Sequence, residues 1–415
     1  MNKACISIGI LLLMSSCYEE VELTDAPDRE VFELSVSSGT QEFIYTSRDT
    51  AYSIQDSVLA LVFNDRELAV KEMRIRGRTT LDYRRKSYSV QLDLPIFVRE
   101  QEGGEMRKLT RFKLISLSMD YTYINNRIAF GILEQAGVMP LFYKFVEFKI
   151  NGDTQGVYFL VEDPEQFFHE QGSEFILRRD YHHGIEDAEY EPALFFRPQE
   201  EYVSRYKDIY THLPELDGEA LYEALESRLD INQYFRKMGL DYLLQNGDYT
   251  DEVYFYAMIR QNQIRYKIIP WDYDDIFSTN PHEVGRSWGP GTLFGERKYD
   301  SHQDVLDEIG QKMIFSIEDD LDYALAMDPF LYARFEETLV ELMLTLDANA
   351  LGTLFEQLED ELTPFYNDEA MILQSNYDHT PTSFEIWQSN MQEKRVLLEE
   401  RLESMRRQLQ IEDKL

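Results

Sequence analysis

The chain is poor in cysteine, in long apolar runs and in positive charge, and each shortage excludes something. Its two cysteines are Cys5 and Cys17. Cys5 falls within an N-terminal segment that reads as cleaved, so Cys17 stands alone and no intramolecular disulfide is available. The apolar run at residues 6–14 is too short to span a bilayer. Lysine and arginine number 41 against 77 acids, a formal net charge of −36. That balance repels nucleic acid and anionic membrane surfaces and favours basic or neutral protein partners. Gly-x-Gly-x-x-Gly and Walker motifs are missing, so the sequence gives no support to phosphate grip by a glycine-rich turn. The seven histidines are scattered without His-Glu-x-x-His or Cys-His spacing, which argues against zinc. There is no internal repeat. What is present is 43% hydrophobic residues, with 27 Tyr and 25 Phe. A 415-residue chain of that composition is globular and long enough to bury a large core.

Lys3, the apolar run and then Ser15-Ser16-Cys17 read as a short secretory signal. Small residues directly before a cysteine resemble a bacterial lipobox, with Cys17 as the lipidated first residue of the mature chain. Met14 stands where Leu is commoner. The other reading is an ordinary signal with an incidental cysteine. Glu19, Glu20 and Glu22 resemble the export signal of surface lipoproteins in Bacteroidetes. The expected organisation is a signal over 1–16, lipidated Cys17 with an acidic tether over 17–30, a main domain over 31–315, and a helical region over 316–415 packed on it. The expected location is the cell envelope, at the outer membrane through the lipid anchor.

From about 31 to 98, short alternating apolar and polar runs predict a β-rich lobe. Helical spacing over 124–136 ends at Gly137, a C-cap signal. Asn151-Gly152 between two apolar runs signals a hairpin. Residues 180–215, which include His182-His183, show no period and read as an insertion or extended loop. Asp230-x-x-Gln233 has the form of a capping box, opening a helix that ends near Gln245. Beyond 316 the chain reads as mostly helical, and the stripe Leu398, Leu402, Met405, Leu409 reads as core docking. The fold class expected is α+β.

The stretch 246–275, NGDYTDEVYFYAMIRQNQIRYKIIPWDYDD, carries the most chemistry. Two β-branched and aromatic runs, 253–259 and 264–269, flank the polar turn 260–263 and read as a hairpin. Paired strands lie only about 5 Å apart. Asp248, Asp251 and Glu252, before the hairpin, should therefore meet Asp272, Asp274 and Asp275 after it. Such a set raises its own pKa values unless a cation lies among its members. All-oxygen ligands suit a hard cation, and one that keeps positions open for phosphate is most simply Mg²⁺. The alternative is a solvated acidic loop, against which Trp271 and the apolar strands argue.

These residues also carry a family resemblance. Asn246-Gly-Asp248 followed by Ile-Pro-Trp-Asp272-Tyr-Asp274 resembles the paired signature of the spore-coat protein H (CotH) kinase family, an atypical protein-kinase-like fold. RIRGRTTLDYRRKSYSVQLDL (74–94) is similar to its Arg-Gly and Lys-Lys-Ser-Tyr block. FKLISLSMDYTYINNRIAFGILEQAGV (112–138) resembles its segment ending in an Arg-Asn-Lys-type helix, with Asn125-Asn126-Arg127 at that place. FVEFKINGDTQGVYFLVED (145–163) is close to its Asn-Gly-x-x-x-Gly-Val-Tyr strand pair. Four blocks in order cover about 70–280.

The resemblance implies a β-rich N-terminal lobe and a mainly helical C-terminal lobe. It gives Asp248 the acceptor-positioning role and Asp272 the role of holding Mg²⁺ (or Mn²⁺) against the phosphates of ATP, with Asp274 beside it. Glu252 stands where the family more often has Asn, in the place of a second metal ligand, and adds negative charge there. Cations for the phosphates are sought in the cluster Arg74, Arg76, Arg78, Arg84, Arg85, Lys86, anomalous in so acidic a chain. Alternation puts Arg74, Arg76 and Arg78 on one strand face. Lys86 matches the family's lysine before Ser-Tyr and is the expected phosphate-contacting lysine. Glu162, at a strand end, is expected to border the adenine pocket, or is simply a strand terminus.

Three functions follow as expectations. The first is a secreted, lipid-anchored, Mg²⁺- and ATP-dependent kinase acting on Ser/Thr of a protein, with a basic acceptor favoured by charge. The second is a catalytically inactive relative acting as an adhesin or partner-binding module. The third is a carbohydrate- or cation-binding surface lipoprotein.

Overall fold

Strand alternation builds the first layer of the protein. A computed structural model describes residues 29–49, 53–54, 57–99, 106–120, 122–179, 184–192, 197–250, 252–282, 299–368, 371 and 383–411. The expectations at Cys17, Asp251 and His182-His183 lie outside the described residues. Eight strands, β1 (Val31–Val36), β2 (Val58–Phe63), β3 (Arg66–Glu67), β4 (Val70–Arg76), β5 (Ser87–Arg99), β6 (Met106–Ile115), β7 (Tyr143–Ile150) and β8 (Asp153–Glu162), form one sheet. Their order is β3-β2-β1-β7-β8-β6-β5-β4, antiparallel except where β1 runs parallel to β7. The β-rich lobe therefore continues well past residue 98. Along β8 the side chains alternate between two cores. Tyr158 and Leu160 enter the core shared with Ile44 of helix α1 (Ser38–Thr46), whereas Val157, Phe159 and Val161 face helix α2 (Asn125–Gln135).

The turn at Asn151-Gly152 forms as its residues require. Both have positive φ (53° and 86°), and Ile150 pairs with Asp153, the two-residue hairpin geometry that Asn-Gly favours. Gly137, with φ 69°, follows α2 as expected, and the Val138 amide donates to the Leu133 carbonyl at 2.8 Å.

After Glu162 the chain leaves the large sheet through α3 (Pro164–Glu170), N-capped by Asp163. It then enters a second sheet of β9 (Phe175–Arg179), β10 (Ile185–Tyr190), β11 (Val253–Arg260) and β12 (Gln263–Pro270), ordered β10-β9-β11-β12. The reading of 180–215 as a loop is corrected here. β10 and helix α4 (Gln199–Thr211) lie within it. The apolar face of α4 is built from Tyr202, Tyr206 and Tyr210 with Ile209, all buried, so an aliphatic period was hidden in amphipathic tyrosines.

The helices α5 (Gly218–Glu226), α6 (Ile231–Leu244), α7 (His302–Ile309), α8 (Asp320–Met327), α9 (Pro329–Thr345), α10 (Ala348–Tyr366) and α11 (Phe384–Gln408) complete the second lobe. The predicted capping box does not form. Asp230 makes no side-chain cap and faces Arg265 and Lys267, while Gln233 bridges the N–H and C=O of Ile268 at 2.8 Å each. Leu398, Leu402, Met405 and Leu409 are buried in the same core as Leu243 and Leu244, as the stripe predicts. Among the described residues no single helix is long and apolar enough to cross a membrane. The architecture is α+β, a β-rich lobe on a mainly helical one.

Candidate active site

Helix α6 delivers the first acid. It ends at Gln245 in the left-handed conformation (φ 50°), and the chain turns through Asn246 and Gly247 to Asp248. Gly247 is required by close approach, because a Cβ there would lie 2.0 Å from Asp275 Oδ2. The Gly247 amide donates to the Asp275 carbonyl at 2.9 Å, so the loop before the hairpin rests on the loop after it.

The hairpin closes as the sequence requires. Gln261 and Asn262, both with positive φ, form the turn, and Val253 pairs with Pro270 at the open end. The Trp271 amide donates to the Glu252 carbonyl at 3.0 Å. Asp272 then adopts φ 43°, a left-handed conformation that Asp tolerates better than most residues.

The acids meet. Burial pushes the Asp272 carboxyl up, opposed by Arg76 and Arg178 and reinforced by Asp248. Its Oδ1 is buried without a hydrogen-bond partner. Burial holds Asp274 well above the usual carboxylate range, and Asp272, Asp248, Asp120 and Asp275 push the same way. Asp120, which the sequence reading did not single out, belongs to the group. Asp248 and Asp275 share His282, whose Nδ1 lies 3.4 Å from Asp248 and Nε2 2.9 Å from Asp275. Hydrogen bonds to both carboxylates push the imidazole up to about 10.

The start of α2 holds the second acid loop. Asn126 Oδ1 accepts from the Tyr273 amide at 2.7 Å, and Asn125 Nδ2 donates to the Asp274 carbonyl at 2.6 Å. The Tyr273 hydroxyl in turn donates to Asp241 of α6 at 2.9 Å.

The cations divide. Arg76 lies 5.3 Å from the centroid of the Trp271 ring and acts on Asp272. Arg78 pairs with Glu186 on β10, joining the two sheets. Lys86 is buried and donates to the Leu81 carbonyl at 2.5 Å, and the charges acting most on Asp272 are Arg76, Arg178 and Asp248. The buried lysine near Arg76 is Lys113 on β6, 2.6 Å from Asp163. Burial lowers its ammonium, with Asp163 opposing and Arg76 and Arg111 adding to the fall.

Both carboxylate oxygens of Glu252 lie 2.6 Å from Arg178 Nη2, so it is an ion-pair partner here. Glu162 is fully buried, gripped by Arg107 at 2.7 Å through both oxygens and by the Phe142 amide at 3.1 Å. Its side chain ties the end of β8 to β6 and to the residue before β7.

Among the described residues, no three His, Cys, Asp or Glu side chains form a ready-made metal-binding group. A site completed by phosphate oxygens and water needs only one or two carboxylates. Asp272, with its unpartnered oxygen, and Asp274 suit that role.

The α+β fold brings acids from a helix-borne loop and from a hairpin end together beside the half-buried Arg76 and Arg178. The CotH kinase protein family model matches residues 73–400, most of the chain. The protein belongs to the CotH kinase family. No curated protein matched it.

Proposed function

We propose that this protein is a kinase that transfers the γ-phosphoryl group of ATP to Ser or Thr of a protein, with Mg²⁺ or Mn²⁺ as the metal. The observation that carries the reading is the half-buried, mutually repelling pair Asp272 and Asp274, with the buried Asp272 Oδ1 lacking a hydrogen-bond partner, beside Arg76 and Arg178. Repulsion of this kind favours a bound cation. The metal would be held by Asp272 and Asp274 and would neutralise charge on the phosphates. Arg76 offers the phosphates a guanidinium fork, and Lys113 a point charge. Asp248 accepts the proton of, or orients, the acceptor hydroxyl. The net charge of −36 favours a basic acceptor. Purified protein incubated with labelled ATP and Mg²⁺ or Mn²⁺ should label itself or a basic acceptor protein. No labelling, together with no nucleotide binding, would leave the partner-binding reading in its place.

The lipid anchor belongs to the same proposal. Ser15-Ser16-Cys17 supports cleavage before Cys17 and acylation of its thiol, and stable anchoring takes two or more acyl chains. Wild type should partition into detergent and Cys17→Ser should not. Equal membrane fractionation of the two rejects the lipobox.

A further inference from the structure

Two cations on one side of α11 reach the two loops that carry the acids. Lys394 and Arg401 are seven residues apart, nearly two helical turns, and so share a face. The Lys394 ammonium donates to Asn125 Oδ1, and it is Asn125 Nδ2 that donates to the Asp274 carbonyl at 2.6 Å. The same ammonium lies 5.7 Å from the centroid of the Phe277 ring, and the Phe277 amide donates to the Leu244 carbonyl at 2.7 Å. Arg401 Nε donates to the Leu243 carbonyl at 2.6 Å, and its Nη2 to that of Tyr242. Those carbonyls belong to the last turn of α6, where no intrahelical donor remains and a cation complements the helix dipole. Four residues beyond Leu244 is Asp248.

Docking alone does not need these contacts. Leu398, Leu402 and Met405 already bury the apolar stripe of α11. Each cation adds a charged hydrogen bond behind one acid loop: Lys394, through Asn125, behind Asp272–Asp274, and Arg401 behind the turn to Asp248.

We propose that α11 is a brace for the site, with Lys394 positioning the Asp272–Asp274 turn and Arg401 positioning the Asp248 loop. The inference rests on the roles given to those acids above. It predicts a split that general loss of packing does not produce. Lys394→Met weakens Mg·ATP binding by about 10–100-fold, the range for residues that orient metal ligands, and Lys394→Arg restores it. Arg401→Met leaves Mg·ATP affinity near wild type and lowers phosphoryl transfer by up to about 100-fold, as a misplaced reacting group does.

Calorimetry with Mg·ATP and a transfer assay read the split. Backbone hydrogen exchange reads the brace without reference to activity. Lys394→Met should speed exchange at Tyr273 and Phe277, and Arg401→Met at Asn246, whose amide donates to the Asp241 carbonyl. Unchanged exchange in both variants, or equal losses of affinity and transfer in both, overturns the proposal. If wild type binds no Mg·ATP, the kinase reading fails, and exchange at these amides still decides whether α11 braces the loops.

Discussion

Arg178 holds both carboxylate oxygens of Glu252 at 2.6 Å, across 74 residues of sequence. Arg178 neutralises this acid at the open end of the hairpin and also acts on Asp272 directly. It lies on β9, where it pairs with Tyr254 of β11.

Removing one member of this pair should be costly. The two side chains are 16% and 11% exposed, so Arg178→Met takes a bound cation away from a largely buried carboxylate. The expected loss is about 3–5 kcal/mol in urea unfolding, and Glu252→Gln in the same chain should recover most of it. Equal stabilities for the single and double variants would mean that the pair is not coupled.

His282 should stay protonated well above neutral pH. Its hydrogen bonds to Asp248 and Asp275 push it from 6.5 up to about 10. A raised histidine pKa stabilises the folded state fully below 6.5, and the contribution is lost as pH rises through about 10. The ring is half-exposed, so salt should weaken the effect. NMR titration should give a high midpoint in wild type, lowered towards 6.5 in Asp248→Asn and Asp275→Asn. A wild-type midpoint already near 6.5 contradicts the shared clamp.

Without metal, the acid cluster should weaken the fold as pH rises. The folded-state pKa of Asp274 is raised, so the folded state binds that proton more tightly than the unfolded chain does. Its contribution is present at low pH and lost as pH rises through the raised value. Asp274→Asn should therefore melt higher than wild type at pH 7–8 without divalent metal, and Mg²⁺ with ATP should narrow the gap from the wild-type side. A lower melting temperature for the variant would mean that Asp274 is a structural ligand of its own loop.

Asp248→Ala should fold and transfer poorly. Asp248 is part-exposed on a loop, and its removal takes away an acceptor-positioning acid. Phosphoryl transfer should fall by about 10²–10⁴-fold with little change in the unfolding midpoint. Unfolding of the variant would instead assign Asp248 to the loop's architecture.

Local chemistry made much of this site legible. The hairpin at 253–270, the helix before Asp248 and the Asn151-Gly152 turn follow from strand alternation, helical spacing and positive-φ turn residues. The meeting of Asp248 with Asp272, Asp274 and Asp275 follows from the hairpin, since its ends must come together. Residues brought in by sheet pairing and helix docking were not legible. Arg178, Asp120 and Asn126 reach the acids from distant elements, with no local pattern to mark them. At Lys86 a family-like motif located the lysine, and the structure adds that its buried ammonium donates to the Leu81 carbonyl. The tyrosine face of α4 was missed because tyrosine packs like an apolar residue while counting as half-polar.

The central claim is that Asp272 anchors a metal-bound nucleotide. Isothermal titration calorimetry of Mg·ATP into wild type and Asp272→Asn tests it directly, with circular dichroism to establish that both are folded. The account predicts metal-dependent binding by wild type and its loss, by about 10-fold or more, in the variant. Equal affinities in the two proteins would contradict it.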